Sequence, residues 1–360
     1  MKKLFTVLLI TLLFVGSSQS NAASESHTPS ASDLDARGNE AASRQDYAAA
    51  MHLFRQAADQ GYAPAQSDIG WLYARGLGVP QNPTEAASWY LKAANGGYMQ
   101  AQSNLGWFYQ AGIGVPQDYV EAMKWYRKAA EKGDNLSLNN IGWFYLNGMG
   151  INKDPVESMR WFQKAADQGY AAAQAQVGWF YLVGLVVSKD YAVAMKWLRL
   201  AADQGNATGQ NQVGWIYQNG FGVPQDFSEA MKWYQKSANQ GYANAQYNMG
   251  WIYGHVDPRD YGEAMKWYLK AAAQGHATAM NNIGFLYQNG LGVAQSYAEA
   301  AKWYRQGATG GDFRAQFHLG YLYDQGLGVP HDENMARQLM QLAASVGDSD
   351  ALKWLSEHPQ

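Results

Sequence analysis

Apolar and polar residues alternate along the chain in a helical rhythm. Between Ala101 and Gly133, the residues Ala101, Leu105, Phe108 and Tyr109 fall at i, i+4, i+7 and i+8, the stripe of an amphipathic helix. After a loop holding Gly112 and Gly114, Ala122, Tyr126 and Ala129 resume the stripe. The stretch therefore predicts a helical hairpin. The same pattern returns throughout, marked by a glycine at Gly70, Gly106, Gly142, Gly178, Gly214, Gly250, Gly284 and Gly320, spaced by 36 residues except for one interval of 34. Periods of this size belong to stacked units, none of which can bury its apolar face alone.

Punctuation fixes the ends of the helices. Gly112 and Gly114 supply permissive backbone where the first helix stops, and Gly133 does so for the second. The second helices open with pairs that predict capping boxes: Asp118 with Glu121, Asp154 with Glu157, Asp226 with Glu229, Asp260 with Glu263, and Ser296 with Glu299. Pro83 and Pro155 stand at the first helical position, where the missing N–H costs nothing. Two loops depart from the pattern. Val186 replaces the second glycine after Gly184, so that loop must turn differently or under strain, and the loop at His255 is two residues shorter and lacks both glycines.

Leu105-Gly106 with Tyr109, Gly112-Ile113-Gly114-Val115, Asp118, Ala122, Trp125, Lys128-Ala129-Ala130 and Gly133 together resemble the Sel-one-like repeat, a relative of the tetratricopeptide repeat with a longer loop inside the hairpin. The resemblance implies an all-α fold, a right-handed α/α superhelical solenoid of stacked hairpins. Eight such units are expected over 62–347. A shorter unit over 33–61, with Gly38, Tyr47, Ala50, Phe54 and Ala57, resembles an ordinary tetratricopeptide repeat. Leu352, Trp354 and Leu355 predict a capping helix within the tail, 348–360.

Composition agrees with a continuous core, at 47% hydrophobic and 14% aromatic. Lys2 and Lys3 followed by the apolar run Leu4 to Val15 read as a signal peptide over 1–22, cut after Ala22, with 23–32 as a Ser/Ala-rich tether. The expectation is a periplasmic or secreted protein. That run is shorter than the roughly 20 residues of a membrane span, and no later stretch resembles one, so no membrane insertion is expected. Absence of cysteine excludes disulfides and thiolate metal sites. Losing Lys2 and Lys3 with the leader takes the formal charge from −3 to −5, which gives no footprint for nucleic acid.

Two tryptophan series carry the candidate chemistry. Trp89, Trp125, Trp161, Trp197, Trp233, Trp267 and Trp303 stand three residues after a core alanine, or after Ser158 in the case of Trp161, beside the apolar stripe, and are expected to pack between repeats. Trp71, Trp107, Trp143, Trp179, Trp215 and Trp251, continued by Phe285 and Tyr321, follow the repeat glycine. On a helical wheel Trp107 points about 145° away from the core stripe. Because first helices line the concave surface of tetratricopeptide-like solenoids, the resemblance implies an aromatic ladder along a groove. Asn139, Asn211 and Asn281, four residues before a ring, and Gln110, Gln218 and Gln288, three residues after one, share its helix face. Rings among neutral amides suit an extended peptide or a glycan better than an anion. The alternative is that the rings pack on the adjoining first helix.

Other signals do not lead to chemistry. Gly76 to Pro80 and its copies end a helix and lack the Lys-Ser/Thr pair of a phosphate loop. The seven histidines form no pair with metal-ligand spacing, and no nucleophile sits in a recognisable motif, so neither cofactor nor metal nor catalytic residue is expected. The leading expectation is a non-catalytic scaffold binding peptide segments of other proteins. A peptidoglycan-binding protein is the alternative. A β-lactamase-like hydrolase comes third, on the strength of cysteine-rich relatives of the repeat family.

Overall fold

The computed structural model describes residues 29–359, so the leader 1–22, its cut and most of the tether lie outside the described residues. The described residues form 19 helices and no strand. Contacts divide the chain into two compact units that meet at Gly96 and Gly97. The first holds α1 (Ala31–Ser43), α2 (Tyr47–Asp59), α3 (Ala63–Arg75) and α4 (Pro83–Asn95). In this unit α1 starts inside the expected tether, because Ser30 caps it by accepting from the Asp33 N–H.

The second unit runs through the hairpins α5 (Met99–Ala111) and α6 (Tyr119–Ala130), α7 (Asn135–Asn147) and α8 (Pro155–Asp167), and α9 (Ala171–Val183) and α10 (Tyr191–Asp203). It continues with α11 (Ala207–Asn219) and α12 (Phe227–Asn239), α13 (Ala243–His255) and α14 (Tyr261–Ala272), and α15 (Ala277–Asn289) and α16 (Tyr297–Thr309). The last elements are α17 (Phe313–Gln325), α18 (Glu333–Ser345) and α19 (Ser349–Glu357). Within each unit every helix packs on its neighbours in chain order.

The recurring glycine lets the two helices of a hairpin approach across an aromatic ring. A Cβ at Gly106 would lie 2.7 Å from the Tyr126 ring, at Gly142 2.8 Å from Phe162, and at Gly284 2.6 Å from Tyr304. Those rings are wholly buried. A second pairing goes with the first: the hydroxyls of Tyr126, Tyr234 and Tyr304 each donate to the side-chain oxygen of Gln110, Gln218 or Gln288 at 2.7 Å. Where the second helix carries Phe162 or Leu198 instead, the glutamine position holds Leu146 or Leu182. Each of these three hydroxyls has its acceptor, and each apolar partner has none to satisfy.

The capping boxes form by half. Asp118, Asp154, Asp226, Asp260 and Ser296 each accept from an N–H of the first turn, as the sequence predicts. Their own N–H groups do not receive the glutamate. They donate instead to the carbonyls of Tyr109, Tyr145, Tyr217, Tyr253 and Tyr287 near the end of the preceding helix, at 2.8–2.9 Å. The glutamates turn outward to a base three residues on, as Glu121 to Lys124 and Glu229 to Lys232. The interior loop is thus tied back to its own hairpin, which removes the need for the reciprocal cap.

Glutamines also join successive hairpins. In the second unit Gln174, Gln210 and Gln246 donate to the carbonyls of Ala166, Ala202 and Ala238, at the end of the preceding second helix. Their oxygens accept from Gln204, Gln240 and Gln274 at 2.7–2.8 Å. At the C-terminal end Trp354 of α19 closes a cluster with Ala336, Met340 and Ala343.

Candidate functional site: the aromatic face of the first helices

The two ring series occupy different environments. On the second helices, Trp125, Trp233 and Trp267 are 4%, 4% and 8% exposed, and Trp89, Trp161, Trp197 and Trp303 are half-buried. A lysine three residues later lies over several of these faces, with Lys128 at 3.9 Å from the Trp125 centroid and Lys270 at 3.8 Å from Trp267. Packing and cation–π contact account for this series.

The first-helix series stays at the surface. Trp107, Trp215, Phe285 and Tyr321 are 42%, 37%, 45% and 39% exposed, while Trp71, Trp143, Trp179 and Trp251 are half-buried. The half-buried rings lean on neighbours: Trp143 meets Phe162 edge-on at 5.7 Å, and Trp251 stacks on His255 at 4.7 Å. None of the eight is fully enclosed. Exposed and partly covered rings therefore both occur along this series, and the cover of Trp143 and Trp251 comes from within their own hairpins, not from the adjoining first helix.

The amides are placed differently from the rings. Gln110, Gln218 and Gln288 turn their oxygens inward to the tyrosine hydroxyls described above. Asn211 accepts from the Asn248 amide at 2.9 Å, and Asn281 is linked to His318 Nδ1 at 2.9 Å. Asn139 is 6% exposed and Asn281 4%. The structure thus brings the rings to the surface and commits most of the amides to the hairpins.

A cleft of about 670 Å³ opens on this face near the C-terminal end of the second unit. Phe285, Phe313 and Phe317 wall it, with Tyr268, Asn282 and His318 among the polar groups that line it. Burial lowers His318 to about 4, so its ring is neutral at pH 7. Arg259, Arg314, Asp348 and Asp350 bring charges of both signs to the lining. Sequence reading did not find this cleft, whose only signal is the departure of the loop at His255 from the repeat. Among the described residues no group of three His, Asp or Glu is placed to hold a metal ion, and no helix is long and apolar enough to cross a membrane.

Comparison with known proteins identifies the repeat. The Sel1 repeat model matches residues 37–62, 63–98, 100–134, 136–170, 171–206, 207–242, 243–276, 277–312 and 313–348. Among solved structures, a protective antigen present in uropathogenic Escherichia coli strains and displaying an SLR fold is 34% identical, with a TM-score of 0.71 over 91% of this chain and 71% of that one. A Sel1 repeat protein from Oxalobacter formigenes is also 34% identical, with a TM-score of 0.63 over 66% of this chain and 96% of that one. No curated protein matches the chain. Sel1 repeats are generally non-catalytic scaffolds for protein–protein interaction. With nine matched segments and hairpins that pack in chain order, the chain belongs to the Sel1 repeat family.

Proposed function

We propose that the chain is an exported, non-catalytic scaffold whose first-helix face forms a groove that captures extended peptide segments of partner proteins in the cell envelope. The observation that carries this reading is the contrast between the two ring series. Rings that serve only packing are covered, as Trp125 and Trp233 are, whereas Trp107, Trp215, Phe285 and Tyr321 keep more than a third of their surface in water. Large rings left open at the same repeat position mark an interaction surface. The leader read over 1–22, with Lys2 and Lys3 ahead of the apolar run Leu4 to Val15, supports export.

The test is retention of short unstructured peptides by the purified chain, with a Trp107→Ala, Trp215→Ala double variant alongside. Loss of two exposed aromatic anchors is expected to weaken capture at least about tenfold, since such rings dominate interface energies. The far-ultraviolet circular dichroism should not change. Equal capture by both proteins would remove the rings from the site. A glycan reading rests on the same exposed rings, and co-sedimentation with purified peptidoglycan, lost in the double variant while peptides are ignored, would replace the peptide reading with it.

A further inference from the structure

Charge is divided unequally between the two helices of a hairpin. In the second unit the first helices α5, α7, α9, α11, α13 and α15 contain no Asp, Glu, Lys or Arg. Each second helix from α6 to α16 carries at least three such residues. The uncharged run ends at α17, with Arg314 and Asp324. Burial does not account for the division. Gln100, Trp107, Leu136, Trp215, Asn244 and Phe285 all stand exposed on the uncharged helices, where a charged side chain would keep its water. Second helices fill comparable exposed positions with Lys124, Arg160 and Lys232. First helices also touch across repeats, as α9 does α11, so the uncharged surface passes from one hairpin to the next.

Such a surface discriminates by what it withholds. A charged side chain laid on it leaves water and finds no opposite charge, whereas an apolar or neutral polar side chain loses far less. The amides of the face narrow the choice further. Tyrosine hydroxyls hold the side-chain oxygens of Gln110, Gln218 and Gln288, and the Asn248 amide holds that of Asn211. A glycan strand carries a hydroxyl donor on most of its ring carbons, and each one it buries needs an acceptor. With no carboxylate on these helices and the amide oxygens committed, the face has little to hold a glycan with. An extended peptide brings one N–H per residue and can lay its side chains against the rings.

We infer that the face of α5 to α15 selects uncharged peptide segments, composed of Gln, Asn, Ser, Thr and apolar residues, and rejects charge of either sign. The inference rests on the peptide reading of the first-helix face and names the class of segment which that face takes. Binding of this kind draws on apolar burial and is insensitive to salt.

The experiment uses the full chain and N-acetylated, amidated peptides long enough to cross the six helices, about fifteen extended residues of about 3.3 Å for five interhelical steps of about 10 Å. The parent peptide contains only Gln, Ser, Thr, Leu and Phe; in one relative two central Gln become Glu, and in the other they become Lys. The parent peptide is expected to bind at least about tenfold more tightly than either relative, and to change less than about twofold between about 50 and about 500 mM salt. Gln176, half-buried on α9 three residues before Trp179, locates the effect on the face. Gln176→Lys should bring the Glu peptide to within about threefold of the parent peptide without helping the Lys peptide, and Gln176→Glu should do the reverse. Tighter binding of either charged peptide than of the parent, equal binding of all three, or no response to both Gln176 variants would overturn the inference and leave peptide capture standing. Failure to bind any of the three peptides would overturn both, whether or not peptidoglycan is retained.

Discussion

Val186 sits at φ 69°, in the left-handed region that the corresponding Gly78, Gly150, Gly222, Gly292 and Gly328 occupy without strain. The loop keeps the turn of its siblings and places a β-branched residue in it, so of the two outcomes open from the sequence, strain is the one realised. Holding such a residue there costs about 1–2 kcal/mol. Val186→Gly is expected to stabilise the hairpin of α9 and α10 by about 1 kcal/mol, read as slower amide exchange across 184–198. Slower or unchanged exchange tells the two possibilities apart, and an unchanged rate would mean that the loop carries no strain. In the first unit the acid pair Asp35 and Asp68 supplies a second residue-scale prediction. Burial, and then the neighbouring Asp35 carboxylate, push Asp68 up to about 7. A carboxyl raised in the folded state favours the protonated form, so its contribution to stability is full below about pH 4 and is lost as the pH rises through about 7. Asp68→Asn, which mimics the protonated acid, should raise the melting temperature at pH 8 and leave it unchanged near pH 4. A variant less stable than the parent at pH 8 would show that the ionised pair stabilises the fold.

At the scale of the helix, the sequence announces each element by its cap and its stripe, and it conceals how the elements are bonded to one another. Asp118 and Glu121 are legible as a start signal, yet the Asp118 N–H belongs to the Tyr109 carbonyl, a bond between main-chain atoms that no side-chain pattern encodes. The exposure of Trp107 follows from its angle on the wheel. That of Trp143 does not, because its cover comes from Phe162, a ring on the other helix of the hairpin. Gln110 reads as a surface amide by the same wheel, although Tyr126 holds its oxygen from across the hairpin. Pairings between elements thus decide what the periodicity of a single element leaves open. The Tyr126–Gln110 pairing makes a quantitative prediction. Tyr126→Phe or Gln110→Leu alone leaves a polar atom without its partner and should cost about 1–3 kcal/mol. The double variant recreates the Phe162–Leu146 solution of the next hairpin and should cost less than the sum of the single changes by at least about 1 kcal/mol. Additive losses in this double-mutant cycle would mean that the bond contributes nothing specific to the hairpin.

Over the whole second unit, contacts run from each helix to its neighbours in the chain, with added first-helix pairs between α9 and α11 and between α15 and α17. No described contact ties α11 to α17, α18 or α19 strongly enough to carry strain directly between them. Stability in such an array is approximately a sum of hairpin and interface contributions, so damage should stay local. Gly214 offers a place to inflict it, since a Cβ there would lie 2.8 Å from the buried Tyr234 ring and 3.1 Å from the Ala230 carbonyl. Gly214→Ala must push α11 and α12 apart, at a cost of about 1–3 kcal/mol. Hydrogen exchange followed by mass spectrometry should then show faster exchange over 207–239, a smaller increase in α10 and α13, and parental rates over 313–357. The hydrogen bonds from Gln210 to the Ala202 carbonyl and from Gln246 to the Ala238 carbonyl set the reach of the disturbance, because each joins one hairpin to the next and no further. Equal acceleration from α5 to α19 would instead make the second unit a single cooperative block. In that case a ligand on any one ring of its first-helix face would stabilise all of them together, whereas local unfolding confines the effect of each bound segment to the hairpins it touches.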